Sequence, residues 1–286
     1  MMRKWFYAGI ILMAAGSLAS AATTFSWKAN TTGDWFTANN WTNESGWPSD
    51  GDTVMITNAG ASVILSNITA RLAYLTLGDA TAGRRTLTFT NWDTCLYATN
   101  ITILTNGYLT CTGPFTNTVM SNRVNLVCSN LAIQGGGSIN VKGKGYAGGI
   151  TLVANDYAAG HGPGAGASGG GSHGGAGRAW DTGHPAPLIA LVYGSPTAPL
   201  YPGSGGNGGH LINSMGGSGG GAVCITAAQV VVSGSINADA SPHITGAHCS
   251  GGSGGGIFIT CSTITGTNGT VVWGWLPPAG TIIKFY

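Results

Sequence analysis

The chain has 286 residues, 50 of them glycine, and only 7% are Asp, Glu, Lys or Arg. An average soluble domain is about 25% charged, so a polyelectrolyte and an ordinary helical domain rich in Lys, Glu and Arg are both excluded. Collagen is excluded as well, because the glycines lack a strict three-residue period.

Residues 1–22 read as a secretory signal. Arg3 and Lys4 form a charged start, residues 7–18 are apolar, and Ala19-Ser20-Ala21 is a small-residue cleavage site. The apolar run falls short of the ~20 residues a bilayer span needs. The expectation is a secreted or cell-surface protein with no membrane span after cleavage. The terminal Lys284-Phe285-Tyr286 offers no hydrophobic anchor. Net charge is +2, and removing Arg3 and Lys4 leaves nine basic residues against nine acidic. A neutral chain has no footprint for nucleic acid and little electrostatic protection against self-association.

Residues 23–58 form a tryptophan-rich block (Trp27, Trp35, Trp41, Trp47) read as a cap. Residues 59–159 carry short segments such as Ser62-Val63-Ile64-Leu65 and Thr86-Leu87-Thr88-Phe89, which alternate apolar and polar residues between Gly and Asn turns. That is a strand pattern. Ile101, Ile103, Gly107 and Leu109 recur as Leu131, Ile133, Gly137 and Ile139 at an offset of 30. Gly217 to Thr226 recurs from Gly252 to Cys261 at an offset of 35, and Gly137-Ser138-Ile139-Asn140 returns as Gly234-Ser235-Ile236-Asn237. Repeats of 20–50 residues made only of short strands point to an all-β parallel β-helix, or solenoid, whose stacked coils share one core. A β-sandwich is the competitor; it explains short strands but not the repeats.

Residues 160–221 form a glycine- and proline-rich insertion, and residues 222–286 resume as C-terminal coils. Two readings of the insertion stand. One is a long flexible excursion. The other is a set of packed, extended polyglycine-type segments bonded backbone to backbone, with Trp180 and residues 188–193 seeking burial. The six cysteines are Cys95, Cys111, Cys128, Cys224, Cys249 and Cys261. In an exported chain they permit three disulfides, and Cys224–Cys261 is the expected pair because the two lie in related segments.

The block Gly33-Asp34-Trp35, Asn40-Trp41, Trp47-Pro48 and Gly51-Asp52-Thr53-Val54-Met55-Ile56 resembles the opening of bacterial secreted β-solenoid proteins related to autotransporter passengers and their associated β-strand repeats. The glycine-strand alternation after residue 134 is similar, in composition, to exported glycine-rich bacterial proteins. The resemblance implies a surface or extracellular location and a right-handed parallel β-helix, and it carries no catalytic residues. The chain departs from autotransporters in showing no C-terminal membrane barrel.

Little in the sequence points to a reaction. Glu44 is the one glutamate of the mature chain, and Asp50 and Asp52 sit on a turn that favours Asp anyway. Asp156, Asp181, Arg178, Lys142 and Lys144 form no lyase spacing. His161, His173, His184, His210, His243 and His248 all lie among the glycines, and His243, His248 and Cys249 are zinc-compatible types without a zinc spacing. No enzyme, metal or cofactor is therefore expected. Trp27, Trp35, Trp41 and Trp47 are the candidate glycan-stacking residues, set against a reading in which they bury the first coil. The expected function is a structural or adhesive protein of the bacterial surface or extracellular matrix, acting by surface contact or self-association. The rivals are a carbohydrate-binding or polysaccharide-modifying β-helix and an ice- or mineral-binding scaffold.

Overall fold

The computed structural model describes residues 21–116, 118–154, 158–165, 169–177, 191–195, 197–242, 248–266 and 284–285. The signal segment before residue 21, together with Trp180, Arg178, Asp156, Asp181, His184, His243 and residues 188–190, lies outside them. The described residues are all-β, with sixteen strands, one 3-10 turn at Ala38–Asn40 and no α-helix. In chain order the strands are β1 (Thr24–Ser26), β2 (Thr32–Asp34), β3 (Thr53–Ile56), β4 (Ser62–Leu65), β5 (Arg71–Leu77), β6 (Arg85–Phe89), β7 (Leu96–Ile103) and β8 (Gly107–Cys111). They continue as β9 (Val124–Ile133), β10 (Ser138–Asn140), β11 (Val223–Thr226), β12 (Gln229–Val232), β13 (Ser235–Asn237), β14 (Ile257–Cys261), β15 (Thr263–Thr265) and β16 (Lys284–Phe285).

Every pairing between these strands is parallel. The chain moves back and forth between two sheets. One runs β1-β3-β5-β7-β9-β11-β14-β16 with β12 and β15 alongside, and the other runs β13-β10-β8-β6-β4-β2. From β1 to β11, successive strands of the first sheet are thus separated in the chain by one strand of the second, whereas β11 and β12, and β14 to β16, follow one another within the first sheet. The alternation of side chains sets which face is buried. In β3 and β4 every second residue is buried, Val54 and Ile56 in one, Val63 and Leu65 in the other. Each such side chain contributes about 1.5–3 kcal/mol on full burial. In β9 the alternation breaks at Ser129 and Asn130, which are both exposed, just after Cys128 packs partly buried against the core, and it resumes at Leu131. The strand turns a corner there. Its first half pairs with β11 and its second with β12.

The offset of 30 is the true register, since Ile101 faces Leu131 and Ile103 faces Ile133. The echo at residue 234 is also true, with Ile139 opposite Ile236. The offset of 35 is corrected to 34: Val223 faces Ile257 and Ile225 faces Ile259. The sequence match followed glycines, but a one-residue slip would turn the apolar set outward, and burial of Ile225 and Ile259 decides the register.

The glycine-rich segments pack as rods that bond with a period of three. Gly203 N donates to Gly220 O at 2.8 Å and Gly206 N to Gly217 O at 2.9 Å. Tyr146 N and Gly149 N donate to Gly203 O and Gly206 O, and Gly205 N and Gly208 N to His161 O and Ala158 O. Three residues per turn is the repeat of a polyproline II-type helix, which has no internal hydrogen bonds. Its amides must find partners elsewhere, and here the neighbouring rods supply them. Glycine is required by closeness: a Cβ at Gly219 would collide with the Gly203 carbonyl, and one at Gly220 with the Ala238 carbonyl. The layer extends beyond residues 160–221, since residues 145–149 and 250–256 are bonded into it.

Candidate functional site

Three of the four tryptophans are core. Trp27, Trp35 and Trp41 are each 0% exposed. Trp41 meets Trp27 and Trp35 edge-on at centroid distances of 4.9 and 5.0 Å. Trp27 Nε1 donates to Thr31 O at 2.9 Å and Trp41 Nε1 to Trp35 O at 2.8 Å. A buried indole has no face to offer a sugar ring. Trp47 differs: it is 51% exposed and touches Phe36 edge-on at 6.1 Å.

The polar residues of the same block hold it closed. Asn40 Nδ2 donates to Asp34 O at 2.9 Å, and its amide lies where a Cβ at Gly33 would go, so the Gly-Asp-Trp spacing is steric. Asp52 accepts from Thr23 N at 2.7 Å, Ser49 N at 2.8 Å and Ser49 Oγ at 2.8 Å. Burial pushes this carboxyl upward, but those hydrogen bonds outweigh it and hold Asp52 below the usual carboxylate range. Asp50 Oδ1 accepts from Arg71 N at 2.7 Å. The two aspartates therefore tie strands together rather than face one another.

The expected Cys224–Cys261 disulfide is not formed; all six cysteines are free. Thr226 pairs with Thr260, so Cys224 and Cys261 lie three register positions apart, about 10 Å at the rise of a strand. They also point to opposite sides, Cys224 outward beside Val223 and Ile225 and Cys261 into the core. A bond needs Cα atoms within about 7 Å and Cβ vectors that converge. Burial pushes the Cys111 and Cys128 thiols up to about 12, with Lys144 pulling slightly against this at Cys111.

Sequence reasoning missed Arg85, which is 1% exposed. Its Nε donates to Thr57 O at 2.8 Å, and its guanidinium also reaches Thr81 O, Thr81 Oγ1 and Gly83 O. It pins the turn between β5 and β6. Three more arginines lie over rings: Arg71 over Tyr97, Arg84 over Tyr108 at 3.8 Å and Arg123 over Trp92 at 4.6 Å. These cations are spent on structure. Among the described residues no three of His, Cys, Asp and Glu gather as a metal site, and no helix is long and apolar enough to cross a membrane.

The outward faces hold columns of uncharged residues. On the six-stranded sheet Thr32, Ser62, Thr86, Tyr108, Ser138 and Ser235 stand in one register column. On the other sheet Thr53, Tyr74, Asn100, Asn130, Gln229 and Thr263 do the same. Neighbours in a column are about 4.8 Å apart, close enough for Asn130 Nδ2 to donate to Asn100 Oδ1 at 2.9 Å. Such faces can offer repeated hydrogen bonds to a flat partner but hold no acid–base pair. Comparison with protein families, curated proteins and solved structures finds no match.

Proposed function

We propose that the chain is a secreted β-solenoid, interrupted by a layer of glycine rods, with a structural or adhesive role at the bacterial surface or in extracellular matrix. The observation that carries this reading is the pair of uncharged polar columns, held in register over six strands each. Parallel stacking puts like residues above like, so a weak contact made by one strand is repeated by the next. Affinity then grows by multivalency rather than from a single pocket. The low formal charge supports the same reading, since nothing electrostatic holds copies or neutral surfaces apart. The signal-like first residues and the resemblance of the tryptophan block to secreted solenoid proteins support the location.

The test is sedimentation and electron microscopy over a concentration series, with a glycan array in parallel. Concentration-dependent assemblies, or adhesion to surfaces without glycan selectivity, are the expected result. A strictly monomeric protein with saturable glycan binding that Trp47→Ala abolishes would replace this reading with the carbohydrate-binding one.

A further inference from the structure

Two histidines meet at one end of the glycine layer. Ser250 N, Ser253 N and Gly256 N donate to Asn207 O, Ser204 O and Tyr201 O at 3.1, 2.9 and 2.9 Å, so the rods 201–207 and 250–256 run antiparallel. The chain therefore leaves one rod and enters the other at the same end. His210 follows shortly after Asn207 there, and His248 comes shortly before Ser250. Their ring centroids are 4.6 Å apart, with the ring planes at 51°. His248 is exposed and His210 partly so.

That separation is one a shared metal ion imposes. An imidazole nitrogen binds Zn2+ at about 2.0–2.1 Å, which puts the ring centre about 3.2 Å from the ion. Two such rings at the ~90–110° of square-planar or tetrahedral coordination have centres about 4.5–5.2 Å apart. The backbone supplies a second observation. His248 has φ 65°, in the left-handed region that costs a residue with a side chain. Glycine takes such a position without that cost, and five of the eight residues after His248 are glycine. The turn itself asks for glycine; what histidine adds there is an imidazole.

We propose that His210 and His248 form a two-imidazole site for a divalent transition metal, Cu2+ in preference to Zn2+. Imidazole suits both ions, and the general order of affinities places Cu2+ above Zn2+. Mg2+ and Ca2+ require oxygen ligands and gain nothing from the pair. One nitrogen of each ring takes the ion. The second nitrogen of a metal-bound imidazole is ordinarily bonded to a neighbouring group, which fixes the ring. The rods hold the two backbones in place before the ion arrives, through the Ser250 N to Asn207 O bond beside the pair. Among the described residues no group of three His, Cys, Asp or Glu forms a metal site. Water therefore completes the coordination, and those positions stay open to an outside ligand.

The experiment is titration of the purified, metal-free protein with Cu2+, read by calorimetry and by electron paramagnetic resonance. At pH ~7.5 one ion should bind, with hyperfine coupling from two imidazole nitrogens. It should be released at pH ~5, where protons compete for the same nitrogens. His210→Ala and His248→Ala should each weaken binding at least tenfold, whereas His161→Ala should not change it. Neither ring is fully buried, so both variants should keep the wild-type circular dichroism. Zn2+ should displace Cu2+ only in excess, and Mg2+ not at all. The absence of saturable binding, a bound ion without two-nitrogen coupling, or an affinity that survives either substitution would overturn the proposal. The spectrum of the wild type decides the matter by itself if a variant does not fold.

Discussion

Gly219→Ala tests the glycine layer where it is tightest. The new Cβ would fall on the Gly203 carbonyl, and the atoms it meets are backbone, which cannot swing aside. The two rods must separate. That breaks Gly203 N to Gly220 O and Gly206 N to Gly217 O, at 2.8 and 2.9 Å, and strains Gly219 N to Tyr146 O and Gly145 N to Gly219 O. Each of the two broken bonds strands a buried donor and acceptor, at about 1–3 kcal/mol per bond. Alanine returns roughly 0.4–1 kcal/mol by restricting the unfolded chain. The net expectation is a loss of about 2–5 kcal/mol, a large share of the ~5–15 kcal/mol that holds a typical domain together. With a urea slope near 2 kcal/mol per molar, the midpoint should fall by roughly 1–2.5 M, followed by circular dichroism in the near-ultraviolet. Gly254→Ala is the matched control and should stay within ~0.5 kcal/mol of wild type, as surface changes usually do. If Gly219→Ala is no less stable than Gly254→Ala, the rods are not packed backbone to backbone.

Three further outcomes are expected. Trp41→Ala should cost about 3–5 kcal/mol in thermal or urea unfolding, the range for an excised core aromatic, while Trp47→Ala should cost under ~1 kcal/mol. Asp52→Asn should destabilise by about 1–3 kcal/mol; because the folded carboxyl sits below its usual range, the difference should be full above pH ~4, the unfolded value, and vanish as pH falls through the folded one. Thiol titration should count six free cysteines in denaturant, with Cys111 unreactive in the folded protein; since burial raises Cys111 to about 12, its contribution should be full below the unfolded value of ~8.5 and be lost as pH rises towards the folded one.

The strands were legible because period-two alternation and burial are one fact seen twice, as in Ser62-Val63-Ile64-Leu65. The 30-residue offset survived because leucines and isoleucines carried it. The 35-residue offset slipped because glycines carried it, and a glycine has no side chain to report which face it lies on. The cap was legible as tryptophan but not as geometry: nothing in the spacing says that Trp27, Trp35 and Trp41 turn inward and Trp47 outward. The cysteine pairing failed for the same reason as the register, since related segments had been aligned one residue out of step with their faces. The reading of packed polyglycine-type segments anticipated backbone-bonded rods, but not which segments pair; that pairing, and the place of Arg85, depend on contacts between distant residues, such as Ser253 with Ser204 and Arg85 with Thr57, which no local pattern encodes.

The proposed stack requires the coils to resume in register across the glycine-rich excursion, so that Asn130 and Gln229, distant in sequence, are paired neighbours on one exposed face. The direct measurement is the rate of disulfide formation in Asn130→Cys/Gln229→Cys, mapped by mass spectrometry of the linked peptides. Their Cα atoms should lie about 4.8 Å apart, so the cross-link should form rapidly, leaving the melting temperature at or above wild type. Asn130→Cys/Thr263→Cys places the thiols two ladder steps apart, about 9.6 Å, and should not link. Equal linking in both pairs, or none in the first, would contradict the stack.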